Sequence, residues 1–224
     1  MMEPSMKTFI FLNSLNPDRE IYSEHLSMTK EGGDKIICVN GGFLMARSLG
    51  ILPDYVIGDL DSLEREMITG EFEVMQFPEE KDFSDFELGL QKALKMKTEK
   101  IFVYGALGGR KDHEIINIVI MAHCRVPVVF IERETEIHNI IDEIKLRVTR
   151  GCICSLVSFS GPCLVKEMRG FKYLLRNEFL EPYSRGLSNI ASDEEIYVKV
   201  GQGNLIIIIN SDKNKKEDPA AGLL

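Results

Sequence analysis

The chemistry-bearing residues of this chain fall into four short blocks. The first, Gly58-Asp59-Leu60-Asp61-Ser62, follows the apolar run Tyr55-Val56-Ile57. Two residues apart at a strand end, Asp59 and Asp61 project on one side about 7 Å from each other along the chain. Carboxylates that close repel unless a cation neutralises them. Magnesium, which takes one or two carboxylates plus substrate phosphates, suits the pair. The plainer reading is an acidic turn with Asp61 or Ser62 capping a helix. The second block, Lys81-Asp82-Phe83-Ser84-Asp85-Phe86-Glu87, opens the helical pattern Leu88, Leu90, Ala93, Leu94. Ser84 and Glu87 make an S-x-x-E capping box, which explains those two residues but not Lys81, Asp82 and Asp85. An Asp in a first helical turn is favoured by the dipole, and Asp85 can also complete a metal site with Asp59 and Asp61.

The third block, Gly105-Ala106-Leu107-Gly108-Gly109-Arg110-Lys111-Asp112-His113, lies between a β-rich run and the helical stretch from Ile115 to Cys124. Its glycines let the backbone approach an anion, the helix start offers N–H groups, and Arg110 can grip phosphate through two nitrogens. It is neither GxGxxG nor a Walker A loop. A purely structural reading makes Asp112 a helix N-cap and leaves His113 exposed. The fourth block pairs Gly170-Phe171-Lys172-Tyr173 with Gly186-Leu187-Ser188-Asn189, which in isolation read as a turn entering a strand and a Ser/Asn turn. His25, His123 and His138 have no ligand-like spacing.

These blocks need elements to hold them. Over roughly the first 140 residues, short β-rich runs alternate with helical patterns, as in a parallel sheet flanked by helices. The strands expected are 8–12, 35–39, 55–57, 101–104 and 126–131. Ligands of open α/β sheets bind at the carboxyl ends of strands. After about Asp142 the pattern becomes short strands at 145–148, 152–159, 163–168, 171–175, 195–200 and 205–209, an all-β sandwich or jelly roll. The expected organisation is therefore an α/β domain over 1–142 followed by a β domain over 143–224, with a frayed tail from Ser211.

Composition sets outer limits. With 44% hydrophobic and 28% charged residues in 224, the chain has the apolar content of a folded globular protein. The net charge of -8 argues against a nucleic-acid partner. Residues 58–87 hold eleven acidic side chains against Arg65 and Lys81; such a block is a solvated face or a cation site. Five cysteines without a CxxC pair fit reduced, buried thiols, with Cys152 and Cys154 on one strand face. No run reaches the roughly 18 apolar residues of a membrane helix, and the first seven residues lack a signal core. A soluble, cytoplasmic protein with no membrane partner is expected.

Taken in order, the four blocks resemble the thiamine pyrophosphokinase family, over the stretch from about Ile36 to Gly203. That family shows GDFDS-like, KDxTDxE, GGRxDH and GxSN elements, matched here at Gly58–Ser62, Lys81–Glu87, Gly108–His113 and Gly186–Asn189. The resemblance implies an α/β nucleotide-binding domain, a β-sandwich thiamine-binding domain, and a homodimer with active sites at the subunit interface. It also implies transfer of the diphosphate of ATP to thiamine, with magnesium, giving AMP. Carried over, Asp59, Asp61 and Asp85 bind magnesium with Asp82 beside them. Arg110 contacts phosphates, and Asp112 orders the loop or the substrate; these two join the metal carboxylates as the catalytic set. Ser188 and Asn189 hold the aminopyrimidine, and Tyr173 offers a stacking face. Asn40, Gly41, Lys81, Gly108 and Gly109 complete the binding residues. Two departures stand out: Asn40 sits where the family commonly carries Asp, and Tyr173 where some relatives have Trp. The competing readings are a DxD-type, metal-dependent nucleotide-sugar transferase and a non-catalytic thiamine- or nucleotide-binding module.

Overall fold

The structure, a computed structural model, describes residues 6–15, 17–59, 71–78 and 82–211. Asp61, Ser62, Lys81 and most of the tail lie outside the described residues. The chain divides into two compact units, Met1–Arg133 and Glu134–Leu224. The division falls before the expected 142/143 boundary because the strand β7 (Thr135–Ile140) pairs along its whole length with β14 (Leu205–Asn210) of the second unit.

In the first unit the described residues form six parallel strands: β1 (Lys7–Phe11), β2 (Lys35–Val39), β3 (Tyr55–Gly58), β4 (Glu73–Gln76), β5 (Lys100–Tyr104) and β6 (Val128–Ile131). Their order is β4-β3-β2-β1-β5-β6. β1, β2 and β5 are buried at every residue but the first, the near-continuous apolar run of a parallel strand covered on both faces. Phe9, Phe11, Ile36 and Cys38 pack with Tyr22 and Leu26 of α1 (Arg19–Thr29) and Phe43 of α2 (Gly42–Ser48). The opposite face meets α3 (Asp85–Lys95), where Gly89 sits so close that an added Cβ would lie 2.9 Å from Val39. α4 (Lys111–His123) links β5 to β6. From β1 the chain moves outward through β2, β3 and β4, then returns to β1's other side as β5. The order reverses there, and the crevice at the strand ends is where such sheets take ligands. β4 was not among the strands expected, because its mostly exposed EVMQ lacks the apolar run of the inner strands.

The second unit has two antiparallel arrangements, β12-β9-β14-β7 and β11-β10-β13-β8. The added strands are β8 (Glu143–Arg147), β9 (Ile153–Ser158), β10 (Cys163–Arg169), β11 (Glu178–Leu180), β12 (Asn189–Ile190) and β13 (Glu195–Gln202). Leu156, Ile207 and Leu205 from one side and Val165, Val198 and Leu180 from the other share one apolar cluster. Cys152 and Cys154 are both buried in it, sulfurs 3.6 Å apart. The strand expected at 171–175 is not formed: Phe171 makes only an isolated bridge to Ala191. Gly170 takes φ +78° with its Cα against the Glu195 carbonyl, turning the chain out of the ladder. Among the described residues no helix is long and apolar enough to cross a membrane.

Candidate functional site

A cavity of about 440 Å³ opens at the carboxyl ends of the parallel strands. Asn13 follows β1, Asn40 follows β2, Asp59 follows β3, and Gly105 and Ala106 follow β5; all lie on its wall. Ser84, Asp85 and Phe86 come from the start of α3, and Arg110, His113, Glu114 and Asn117 from the start of α4. Two helix amino ends therefore meet a ring of strand ends, a setting that favours anions.

The acidic side of the cavity is held by close backbone packing. Asn40 adopts a left-handed φ of +45°, a conformation Asn tolerates better than most residues. Its N–H donates to the Ile57 carbonyl at 2.9 Å. Its side-chain amide donates to Asp85 Oδ2 at 2.6 Å. Gly58 makes that reach possible: at φ +147° an added Cβ would stand 1.7 Å from Asn40 Oδ1. Gly41 and Gly42 have similar reasons, since a Cβ would lie 2.6 Å from Asn13 Cγ or 2.0 Å from the Phe11 carbonyl oxygen. Ser84 caps α3 by accepting from the Glu87 N–H at 3.2 Å, as the S-x-x-E pattern predicts. Asp59 is partly buried, and its carbonyl accepts from Gln76 Nε2 at 3.2 Å. Asp59 and Asp85 thus share one cavity, whereas Asp82 is exposed and outside its wall. Among the described residues no cluster of three His, Cys, Asp or Glu is gathered as a metal site. Two hard oxygen donors beside a polyphosphate-sized space still fit magnesium, which uses one or two carboxylates and completes its shell with phosphates and water.

The glycine loop differs from the expected open cradle. Four of its N–H groups are engaged by the chain itself. Gly108 and Gly109 donate to Glu114 Oε1 at 2.8 and 2.9 Å, Leu107 to Glu132 Oε1 at 3.2 Å, and Gly105 to the Tyr22 hydroxyl oxygen at 3.2 Å. Lys111 grips both oxygens of Glu114 and, with those amides, holds its pKa below the usual carboxylate value. Arg110 occupies the N-cap position without a side-chain capping bond, so Asp112 sits inside the first turn. Asp112 binds the guanidinium in fork fashion, Oδ2 to Nη2 at 2.6 Å and Oδ1 to Nε at 3.2 Å. That pairing pushes the Asp112 pKa down to about 2. Asn117, buried, donates to the Ala106 carbonyl at 3.0 Å. Glu114, Asn117, Asn13, Tyr22 and Glu132 were absent from the expected set. A lone Asn in the apolar stretch from Ile115 to Cys124 was the available signal for Asn117.

In the second unit, Asn189 is a clamp. Its Oδ1 accepts from the Tyr173 and Ile190 N–H groups at 3.0 and 2.9 Å, and its Nδ2 donates to the Tyr173 carbonyl at 2.7 Å. The Tyr173 backbone is fixed while the side chain stays exposed, with Lys172 Nζ 5.3 Å from the ring centroid. Ser188, at φ +55°, donates its N–H to Ser155 Oγ at 3.0 Å.

Comparison with known proteins accounts for both units. Residues 28–130 match the catalytic domain of thiamin pyrophosphokinase, and residues 138–205 match its vitamin B1 binding domain. Over 190 residues the chain is 27% identical to the thiamine pyrophosphokinase of Bacillus subtilis (strain 168), covering 79% of this chain and 87% of the relative. It is 24% identical over 143 residues to thiamin pyrophosphokinase 1 of Caenorhabditis elegans, 58% of each chain. In fold, the crystal structure of thiamine pyrophosphokinase from Bacillus subtilis superposes with a TM-score of 0.79 at 23% identity, covering 92% of this chain and 99% of that one. The two matched domains follow one another in the family's order and span most of the sequence, and the chain belongs to the thiamin pyrophosphokinase family.

Proposed function

We propose that this protein transfers the terminal diphosphate of ATP to the hydroxyethyl oxygen of thiamine, giving thiamine diphosphate and AMP. The observation that carries this reading is the convergence of Asp59, Asp85 and the Arg110-bearing start of α4 on one cavity at the reversal point of a parallel sheet. A nucleotide-sugar transferase would use the Asp59 pair alone, and neither domain match points to one.

In this reading the first unit binds ATP, its triphosphate lying between Asp59 after β3, Asp85 at the start of α3 and the start of α4. Asp59 and Asp85, with Asp61, would hold magnesium, which when bound neutralises phosphate charge and polarises the phosphoryl oxygens. Asn40 orients Asp85 through its 2.6 Å hydrogen bond. Arg110 contacts the phosphates: its bonds to Asp112 use Nε and one Nη2 hydrogen, leaving the remaining guanidinium hydrogens to phosphate oxygen. Asp112 keeps the fork in one orientation. Catalysis by such a site is largely alignment and charge stabilisation. The proton of the attacking hydroxyl passes to a carboxylate of the cavity wall. Thiamine is held by the second unit, with the cationic substrate stacked on the Tyr173 ring and Ser188 and Asn189 framing it. The protein works as a cytoplasmic homodimer with active sites shared between subunits. The test is nucleotide release: AMP should appear only when ATP, thiamine and magnesium are all present. ADP in its place would show attack at the γ-phosphorus, and thiamine-independent or absent turnover would overturn the reading.

A further inference from the structure

One partly buried group has no part in the chemistry above: the carboxylate of Glu132, just beyond β6. It is tied to Tyr22, a residue 110 positions earlier, whose hydroxyl donates to Glu132 Oε2 at 2.8 Å. The same hydroxyl oxygen accepts from the Gly105 N–H, while Glu132 Oε1 accepts from the Leu107 N–H. A phenol and a carboxylate thus close a ring over the first three residues of the loop that leads to Arg110. From the other side Asn117 holds the Ala106 carbonyl at 3.0 Å, and Ser14 Oγ donates to the Leu107 carbonyl at 3.3 Å.

The anchor is stiff. Tyr22 is fully buried, its ring centroid 5.0 Å from that of Tyr104, whose hydroxyl meets His25 Nδ1 at 2.8 Å. It is also costly. Burial raises the Glu132 pKa, and the nearby Asp18 and Glu114 charges add to the rise. A desolvated carboxylate facing two others does not favour stability by itself. Its two oxygens do what no neutral side chain of this length does, accepting from the loop and from Tyr22 at once. Gln would turn an N–H toward the phenol and strand its proton.

We infer that Tyr22 and Glu132 are positioning residues for the reaction, fixing the Gly105–Leu107 segment so that Arg110 is presented to the cavity in one place. The kinetic consequence rests on the proposed function; the clamp does not. Amide hydrogen exchange of the substrate-free protein reads the clamp directly. Tyr22→Phe should speed exchange at Gly105, and Glu132→Leu, which removes both acceptor oxygens, at Leu107, by about tenfold or more, with β2 amides unchanged. Unaltered protection at both amides overturns the inference, whether or not the protein turns over ATP. Kinetics read the consequence. Both variants should lower kcat by about tenfold to a hundredfold, the scale of a small misplacement, while the KM for thiamine stays within about twofold. In an Arg110→Ala background, adding Tyr22→Phe should cost little further, because the phenol acts through the loop that carries the guanidinium. Full, multiplying losses in that background contradict the inference. If Tyr22→Phe does not fold, Glu132→Leu is read by the same criteria. Absence of AMP release from the wild-type protein would instead sink the functional reading and leave the exchange result to decide the clamp.

Discussion

Asn40 places a neutral donor where a third acidic group would crowd Asp85, and the 2.6 Å contact from its amide fixes which way that carboxylate faces. Asn40→Asp should exchange a hydrogen bond for like-charge repulsion, lowering stability by about 1–3 kcal/mol in a chelator. Excess magnesium should restore most of the loss, since a cation would reconcile the two carboxylates. A melting temperature equally depressed with and without magnesium would show that Asp85 takes no part in a cation site. At the other end of the cavity, Asp112 is held to Arg110, and its pKa is pushed down to about 2 from 3.8. A depressed carboxylate contributes above its ordinary value and loses its contribution as pH falls through the lowered one. The Arg110 contact should therefore survive to below pH 3, seen as a carboxyl carbon resonance titrating near 2; a midpoint near 3.8 would mean that the fork is not formed in solution.

At the scale of elements, the strand ends and helix starts do the positioning, and their glycines set the tolerances. Gly58→Ala would force an L-residue to φ +147° and drive its Cβ into Asn40 Oδ1. The expected cost is roughly 2 kcal/mol or more, together with displacement of the Asn40 contact to Asp85. Urea unfolding checks the stability, and near-wild-type stability would mean that β3 relaxes freely there. Much of this layer was legible in the sequence. The buried parallel strands announced themselves as unbroken apolar runs, and the S-x-x-E cap fell where expected. β4 and the two-residue β12 were not legible, because edge and short strands are decided by partners rather than by their own pattern. The glycine loop was read as an open anion cradle, since its composition is the same whether the N–H groups serve a phosphate or the chain's own Glu114 and Glu132. Glu114 stands in the first turn of the helix that follows, where it also reads as an ordinary dipole-favoured acid, and Glu132 is brought in only by tertiary structure.

At the scale of the whole molecule, the proposed reaction divides its parts between two units: the phosphate-handling residues in the first, and in the second Tyr173 and Ser188 beside the Asn189 clamp. A homodimer sharing its sites predicts rescue. Asp59→Asn and Asn189→Ala subunits, each inactive alone, should on mixing give heterodimers in which one site carries both lesions and the other neither, so that heterodimer activity returns toward about half of wild type. Mixtures that stay inactive despite confirmed exchange would place each site within one chain. The order of the acidic, glycine-rich and Ser/Asn blocks made the family legible in the sequence, because each block alone has a structural explanation and only their succession along the chain points to one family. The central claim is that two phosphoryl groups move together. With ATP labelled separately at the β and γ phosphorus, both labels should enter thiamine diphosphate in equal amounts while AMP stays unlabelled. Transfer of the γ label alone, with the β label retained in ADP, would contradict it.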